Sequence, residues 1–165
     1  MVTAVVCCLV LMFGELPGSE LYLKGVEAER NLQFRDAAEA YAACRLTDAS
    51  LGRYAEVRMA ACRALAGDAE GAAEGYRALA ESEPQGPWSE MARAYWAELL
   101  YKQEGYAGAG PLYAALLKVE PRPRWMDEYA WRHAEILMAD TSTRPEAFGW
   151  YRNQVETAVY LQPRI

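Results

Sequence analysis

From residue 19 onward the chain alternates stretches of about a dozen residues, each with apolar positions on one helical face, with short polar turns. The stretches come in pairs. The turn inside the second pair carries Gly67-Asp68 and that inside the third carries Glu104-Gly105. Pro84 and Pro121 each follow a tyrosine by eight residues, where they would stop a helix. A longer period overlies this pattern: Tyr41, Tyr76, Tyr113 and Tyr151 are separated by 35, 37 and 38 residues. Three of them close a common frame, Phe34-x-x-Ala37-x-x-x-Tyr41, Ala69-x-x-Ala72-x-x-x-Tyr76 and Tyr106-x-x-Ala109-x-x-x-Tyr113. The fourth keeps only Ala147 and Tyr151. A small residue lets two helices approach, and a tyrosine four positions later lies on the same face beside it. No single pair can bury its apolar face alone, so stacked pairs are expected to share one continuous core. The pattern predicts an all-α fold of four helix pairs, over roughly 19–50, 52–84, 88–121 and 126–163.

Composition agrees. Alanine supplies 30 residues, and Val, Ile and Thr together only 11 of the 155 after residue 10. Strands favour those scarce types, which argues against an all-β or doubly wound α/β fold. With 165 residues the chain has the length of one domain, and at 53% hydrophobic and 24% charged it is neither disordered nor fibrous. Its 17 basic and 23 acidic side chains leave a net charge of −6. Nucleic acid as a partner is disfavoured, since phosphate neutralisation needs clustered basic surface.

Residues 1–18 stand apart as a signal-like or anchor segment. Val2 to Phe13 is apolar without a charge, and Gly14, Pro17, Gly18 and Ser19 follow. Twelve residues make a helix of about 18 Å, short of a hydrocarbon core of about 30 Å. The length suits the apolar region of a secretory signal, but no Lys or Arg precedes it and no small-x-small site stands near Gly18. An exported chain, a membrane-anchored one, and a packed first helix in a cytoplasmic one all remain readings of this segment. Cys7 and Cys8 lie within it. Cys44 and Cys62 form an even pair that an oxidising compartment would bridge; as buried small hydrophobes, the favoured reading, they would stay free.

The repeated frame resembles the tetratricopeptide repeat family. The third unit, ARAYWAELLYKQEGYAGAGPLYAALLKVEP from Ala92 to Pro121, is most similar: Tyr101-Lys102-Gln103, then Tyr106, Ala109, Tyr113, Leu117 and Pro121 fall at the family's intervals. Gly25, Phe34, Ala37 and Tyr41 match in the first unit; Gly67, Asp68, Ala72, Tyr76 and Pro84 match in the second. The fourth departs through the longer turn Asp140-Thr141-Ser142-Thr143-Arg144-Pro145, as a capping repeat would. The stretch Pro84-x-x-Pro87-Trp88-x-x-x-Ala92 with Tyr95-Trp96 is similar to exported bacterial members of the Tol–Pal-associated periplasmic and outer-membrane-assembly lipoprotein types. It is also similar to the superhelical arm of soluble lytic transglycosylases. The resemblance implies a right-handed superhelix whose first helices line a concave groove that holds a peptide or protein partner. Carried over by position, the groove set is Tyr22, Val26, Arg30, Tyr54, Val57, Glu98, Tyr101, Lys102, Tyr129 and Arg132. Tyrosines with a few charges suit peptide recognition, though each is equally placed to serve the core between repeats. The carboxylate clamp of chaperone-binding members is not expected, because the only asparagines, Asn31 and Asn153, miss the clamp positions.

The residues offer little for catalysis. His133 is the only histidine. Asp127-Glu128 and Glu81/Glu83 are spaced so that the two carboxylates do not share a helix face, and Asp127-Glu128 suits a helix start. There is no Gly-x-Ser-x-Gly elbow, and Gly108 and Gly110 before Pro111 read as loosening a helix's first turn, not as a phosphate loop. One histidine and no close Cys/His cluster make a metal site unexpected, and no cofactor is implied. The expected function is a non-enzymatic adaptor of the cell envelope. The alternative is the superhelical arm of a peptidoglycan-cleaving transglycosylase whose catalytic domain is absent from this chain, and a self-assembling structural protein is the third class.

Overall fold

The computed structural model describes residues 16–82, 86–119 and 125–161, with side chains through 153. The apolar run, Cys7, Cys8, Glu83, Pro84 and Pro121 lie outside the described residues. Within them the protein is all-α: α1 Gly18–Arg30, α2 Phe34–Thr47, α3 Ala49–Leu65, α4 Ala69–Ser82, α5 Pro87–Lys102, α6 Tyr106–Leu116, α7 Met126–Ala139 and α8 Arg144–Leu161.

Three of the turns are built alike. The second residue after the helix end takes a left-handed conformation, Leu32 (φ 60°), Gly67 (φ 87°) and Glu104 (φ 58°). The next N–H then reaches back five residues, from Gln33 to the Ala28 carbonyl at 2.9 Å, Asp68 to Arg63 at 2.9 Å and Gly105 to Leu100 at 2.8 Å. This bond satisfies a carbonyl that the helix end would otherwise leave unpaired. The three left-handed residues are spaced 35 and 37 apart, the same intervals as the tyrosines. In the third turn the left-handed residue is Glu104, and Gly105 (φ −78°) caps α6 instead. The fourth turn differs in kind. Asp140 accepts from the Ser142 N–H at 2.8 Å and its hydroxyl at 2.9 Å, and the Thr143 hydroxyl donates to the Leu137 carbonyl at 2.7 Å. Between α2 and α3 one extended residue, Asp48, turns the chain and accepts the Ser50 and Leu51 N–H groups at 2.9 and 3.2 Å.

Contacts divide the chain into two compact units that meet in sequence at Leu99/Leu100, inside α5. In the first, α1, α2 and α3 enclose Leu21, Ala37, Tyr41, Cys44, Ala55, Met59 and Cys62. Gly25 of α1 lies against the Tyr41 ring, which a Cβ would meet at 2.6 Å. Cys44 and Cys62 are both free and buried. The Cys62 thiol donates to Glu29 at 3.0 Å, and Glu29 also pairs with Arg58. Burial pushes the Cys62 pKa up to about 11 against the pull of Arg58. Ala60, Ala72 and Tyr76 join α3 to α4, with Trp96 and Leu99 of α5 packed on them. A second contact set, Val57, Leu79, Ala80 and Ala92 with Trp88, draws the same three helices together. There the buried Ser89 donates to the Ala80 carbonyl at 2.8 Å.

In the second unit α6 packs on α7 and α7 on α8. Ala109, Tyr113 and Leu116 of α6 and Tyr129, Ala130, Ala134 and Ile136 of α7 are buried, with Ala147 of α8. Gly108 lies in the first turn of α6, with Gly110 and Pro111 just after it. Gly110 permits close approach: a Cβ there would stand 3.4 Å from Ile136. The alanine positions expected to face a partner helix, Ala37, Ala72, Ala109 and Ala147, are all wholly buried.

Candidate functional site

The ten residues assigned to a groove take different places. In the first unit Tyr22 and Val26 are half-buried against the core around Tyr41, with the Tyr22 ring edge-on to Tyr41 at 5.3 Å. Arg30 is exposed at the end of α1. Tyr54 is exposed and meets Trp88 edge-on at 4.6 Å, whereas Val57, three residues on, is buried among Leu79, Ala80 and Ala92. Glu98 is half-buried on α5. In the second unit Lys102 is exposed, and Tyr129 is buried with its ring 6.3 Å from Tyr113. Val57 and Tyr129 are thus packing residues. Each lies on the side of its helix that a neighbouring helix covers.

The structure does bring Tyr101 and Arg132 together. The Arg132 guanidinium lies over the Tyr101 ring, 4.7 Å from its centre. Glu135, one turn beyond Arg132, accepts the Tyr101 hydroxyl at 2.9 Å and an Arg132 N–H at 3.2 Å. Glu128, one turn before, stands 3.3 Å from the Arg132 Nε. Burial, then the bond to Glu135, pushes the Tyr101 pKa upward. Each contact is modest, since a cation–π pair at a partly exposed site is worth about 0.5–1 kcal/mol. Together they hold a long, flexible arginine in one rotamer beside a rigid ring. The repeat pattern assigns Tyr101 and Arg132 to one surface and does not include Glu135, which joins them. The signal was there, because Glu128, Arg132 and Glu135 follow the four- and three-residue steps of one helix face.

His133 faces a different feature, a cleft of about 510 Å³ lined by α6, α7 and the turn before α8. Its walls are mainly apolar: Tyr106, Gly110, Pro111, Ala114, Ile136 and Leu137. Burial lowers the His133 pKa, with Glu146 opposing the shift, which favours the neutral ring. The polar groups nearest in the lining are engaged locally, Thr143 with Leu137 and Asp140 with Ser142. The cleft can therefore accept an apolar group beside one hydrogen-bonding imidazole. Among the described residues no three of His, Cys, Asp or Glu gather as a metal site. Asp127 and Glu128 occupy the first turn of α7, where a helix start favours negative charge.

No protein-family model matches the chain, and no curated protein matches it.

Proposed function

We infer that the chain is a non-enzymatic adaptor of the tetratricopeptide type, holding a peptide or protein partner across the first helices of its pairs, in the bacterial cell envelope. One observation carries this reading. Tyr101 and Arg132, assigned to the same surface by their places in the repeat, lie on the first helices of consecutive pairs and touch. A surface shared by successive first helices is what a groove across them requires. The held guanidinium and ring form an ordered, amphipathic contact of the kind that dominates peptide recognition, and their ordering lowers the entropy lost on binding. The shared alanine–tyrosine frame and the three matching turns support the repeat assignment. The apolar run Val2 to Phe13 supports export or anchoring. Among the described residues no helix is long and apolar enough to cross a membrane.

The test is retention of proteins from envelope extract by the parent chain, Tyr101→Ala, Arg132→Ala and Lys102→Ala. A specific partner should be lost with Tyr101→Ala and Arg132→Ala, while thermal melts stay close to the parent. Equal retention by all variants would refute the groove. Turnover of a peptidoglycan fragment by the parent, abolished by His133→Ala, would refute the non-enzymatic reading.

A further inference from the structure

The chain repeats one cleft in two chemistries. In the first compact unit the start of α2, the end of α3 and the turn after it bound a cleft of about 370 Å³. Its walls are charged, with Arg35 and Glu39 from α2 and Arg63 and Asp68 from the other side. The His133 cleft, about 510 Å³, holds the same place among α6, α7 and the turn after α7. The repeated frame matches Phe34 to Tyr106 and Tyr41 to Tyr113, so Arg35, Ala38 and Glu39 correspond to Ala107, Gly110 and Pro111. All six line their clefts. Each replacement in the second cleft shortens a side chain or removes a charge, which leaves it larger and mainly apolar.

These replacements suit a helix poorly. Glycine and proline are the two least favourable residues in a helix interior, and Pro111 lies within α6. Proline has no N–H, so the Ala107 carbonyl four residues back lacks the donor that an α-helix gives it, and the ring crowds that carbonyl aside. His133, on the α7 wall, is half-buried and makes no hydrogen bond among the described residues. Burial favours its neutral form, which both gives and accepts a hydrogen bond. The cleft thus combines apolar walls with a carbonyl and an imidazole whose partners come from water or a ligand.

We propose that this cleft binds a small, uncharged, mainly apolar molecule with one N–H or O–H donor, its body against Ile136 and Leu137 and its donor at the Ala107 carbonyl or His133. Sites for small molecules have this make-up, with volumes of about 300–1,000 Å³, apolar walls and a few polar groups. The surroundings disfavour ions. Hydrogen bonds from Ser142 hold the Asp140 carboxyl in the lining below the usual carboxylate range, and Glu146 of α8 acts on His133, so an anion is repelled. A cation would exchange water for apolar walls, and Asp140 is already engaged by Ser142 and drawn to Arg144.

Chemical-shift titration of the full chain by NMR tests this with three probes: indole, N-methylindole, which lacks the donor, and the charged indole carboxylate. Indole should bind with a Kd of about 0.1–1 mM. N-methylindole should bind about two- to tenfold more weakly, the range one hydrogen bond spans, and the carboxylate more weakly still. Pro111→Ala returns an N–H to the Ala107 carbonyl, so it should raise the melting temperature yet weaken indole by about the same factor. A merely structural role for Pro111 would not give those opposite signs. His133→Phe keeps a ring in the wall and should weaken indole similarly. Ala107→Arg with Pro111→Glu installs the side chains of the charged counterpart, and should abolish binding with the circular dichroism of the parent. The proposal is overturned by the absence of a saturable shift up to about 5 mM indole. Equal binding of indole and N-methylindole overturns it too, as does binding that the double variant leaves unchanged.

Discussion

Replacing Gly25 by alanine adds one methyl group where α1 lies directly against the buried Tyr41 ring. A Cβ there would stand 2.6, 2.7 and 2.8 Å from three carbons of the Tyr41 ring. Ordinary carbon contacts begin near 3.5 Å, so the ring or α1 has to retreat by roughly 0.8–1 Å. Tyr41 has little room to move: it is wholly buried and braced by Tyr22 at 5.3 Å. Overpacking of this kind costs about 1–3 kcal/mol. Alanine returns about 0.8–1 kcal/mol through its better helix propensity. The net expectation is a loss of about 1 kcal/mol, and at most about 2. Two further glycines calibrate it. Gly75→Ala places its Cβ 3.2 Å from that of Ala60, a deficit of a few tenths of an ångström, and the two effects should nearly cancel. Gly149→Ala in α8 meets nothing within 4 Å and should stabilise by about 0.5–1 kcal/mol. Urea melts followed by circular dichroism give all three values, and unchanged m-values confirm that the denatured state is not responsible. Pairing Gly25→Ala with Tyr41→Leu should recover part of the loss, as coupled neighbours do. If Gly25→Ala stabilises as Gly149→Ala does, α1 does not approach Tyr41 and the first core is described wrongly.

The Tyr41 hydroxyl is buried with no hydrogen-bond partner, so Tyr41→Phe should stabilise by about 1 kcal/mol in the same melts. Glu104→Gly should stabilise by about 0.5–1 kcal/mol, because its left-handed backbone strains any residue with a Cβ; Gly67→Ala should lose about 1–2 kcal/mol for the converse reason. Ala109→Leu should cost about 1–3 kcal/mol at its wholly buried site, whereas the exposed Lys102→Ala should stay within about 0.5 kcal/mol. His133 has a folded pKa below its unfolded value of 6.5, so the unfolded chain binds more protons between the two. Its contribution is complete above 6.5 and is lost as pH falls through 6.5 toward the folded value, a slope of at most about 1.4 kcal/mol per pH unit that His133→Gln should remove. The carboxylates held low by their own hydrogen bonds, Asp48 and Asp140, act only in the separate window below 3.8.

Local pattern alone was enough for the all-α fold, the turns at Gly67-Asp68 and Glu104-Gly105, and the burial of Ala37, Ala72 and Ala109 with Tyr41, Tyr76 and Tyr113. The reason is geometric. Residues four apart on a helix must share a face, and a small residue followed by a large one on that face is legible without knowing the partner. The first helices are harder to read, because neighbours flank them on more than one side. Val57 and Tyr54 differ by three residues on one helix, yet one is buried under Trp88 and the other stands exposed beside it. Tyr129 is buried and Arg132 is half-buried over the Tyr101 ring for the same kind of reason: what packs beside α7, not the composition of α7, decides which side is covered. Leu32 is a third case. Nothing in a leucine announces a left-handed backbone, but the carbonyl of Ala28 must be satisfied where α1 ends, and closing that turn sets the conformation whatever residue stands there. Periodicity fixes the face a helix turns to its own partner; only the packed structure fixes which of its other residues remain for a second one.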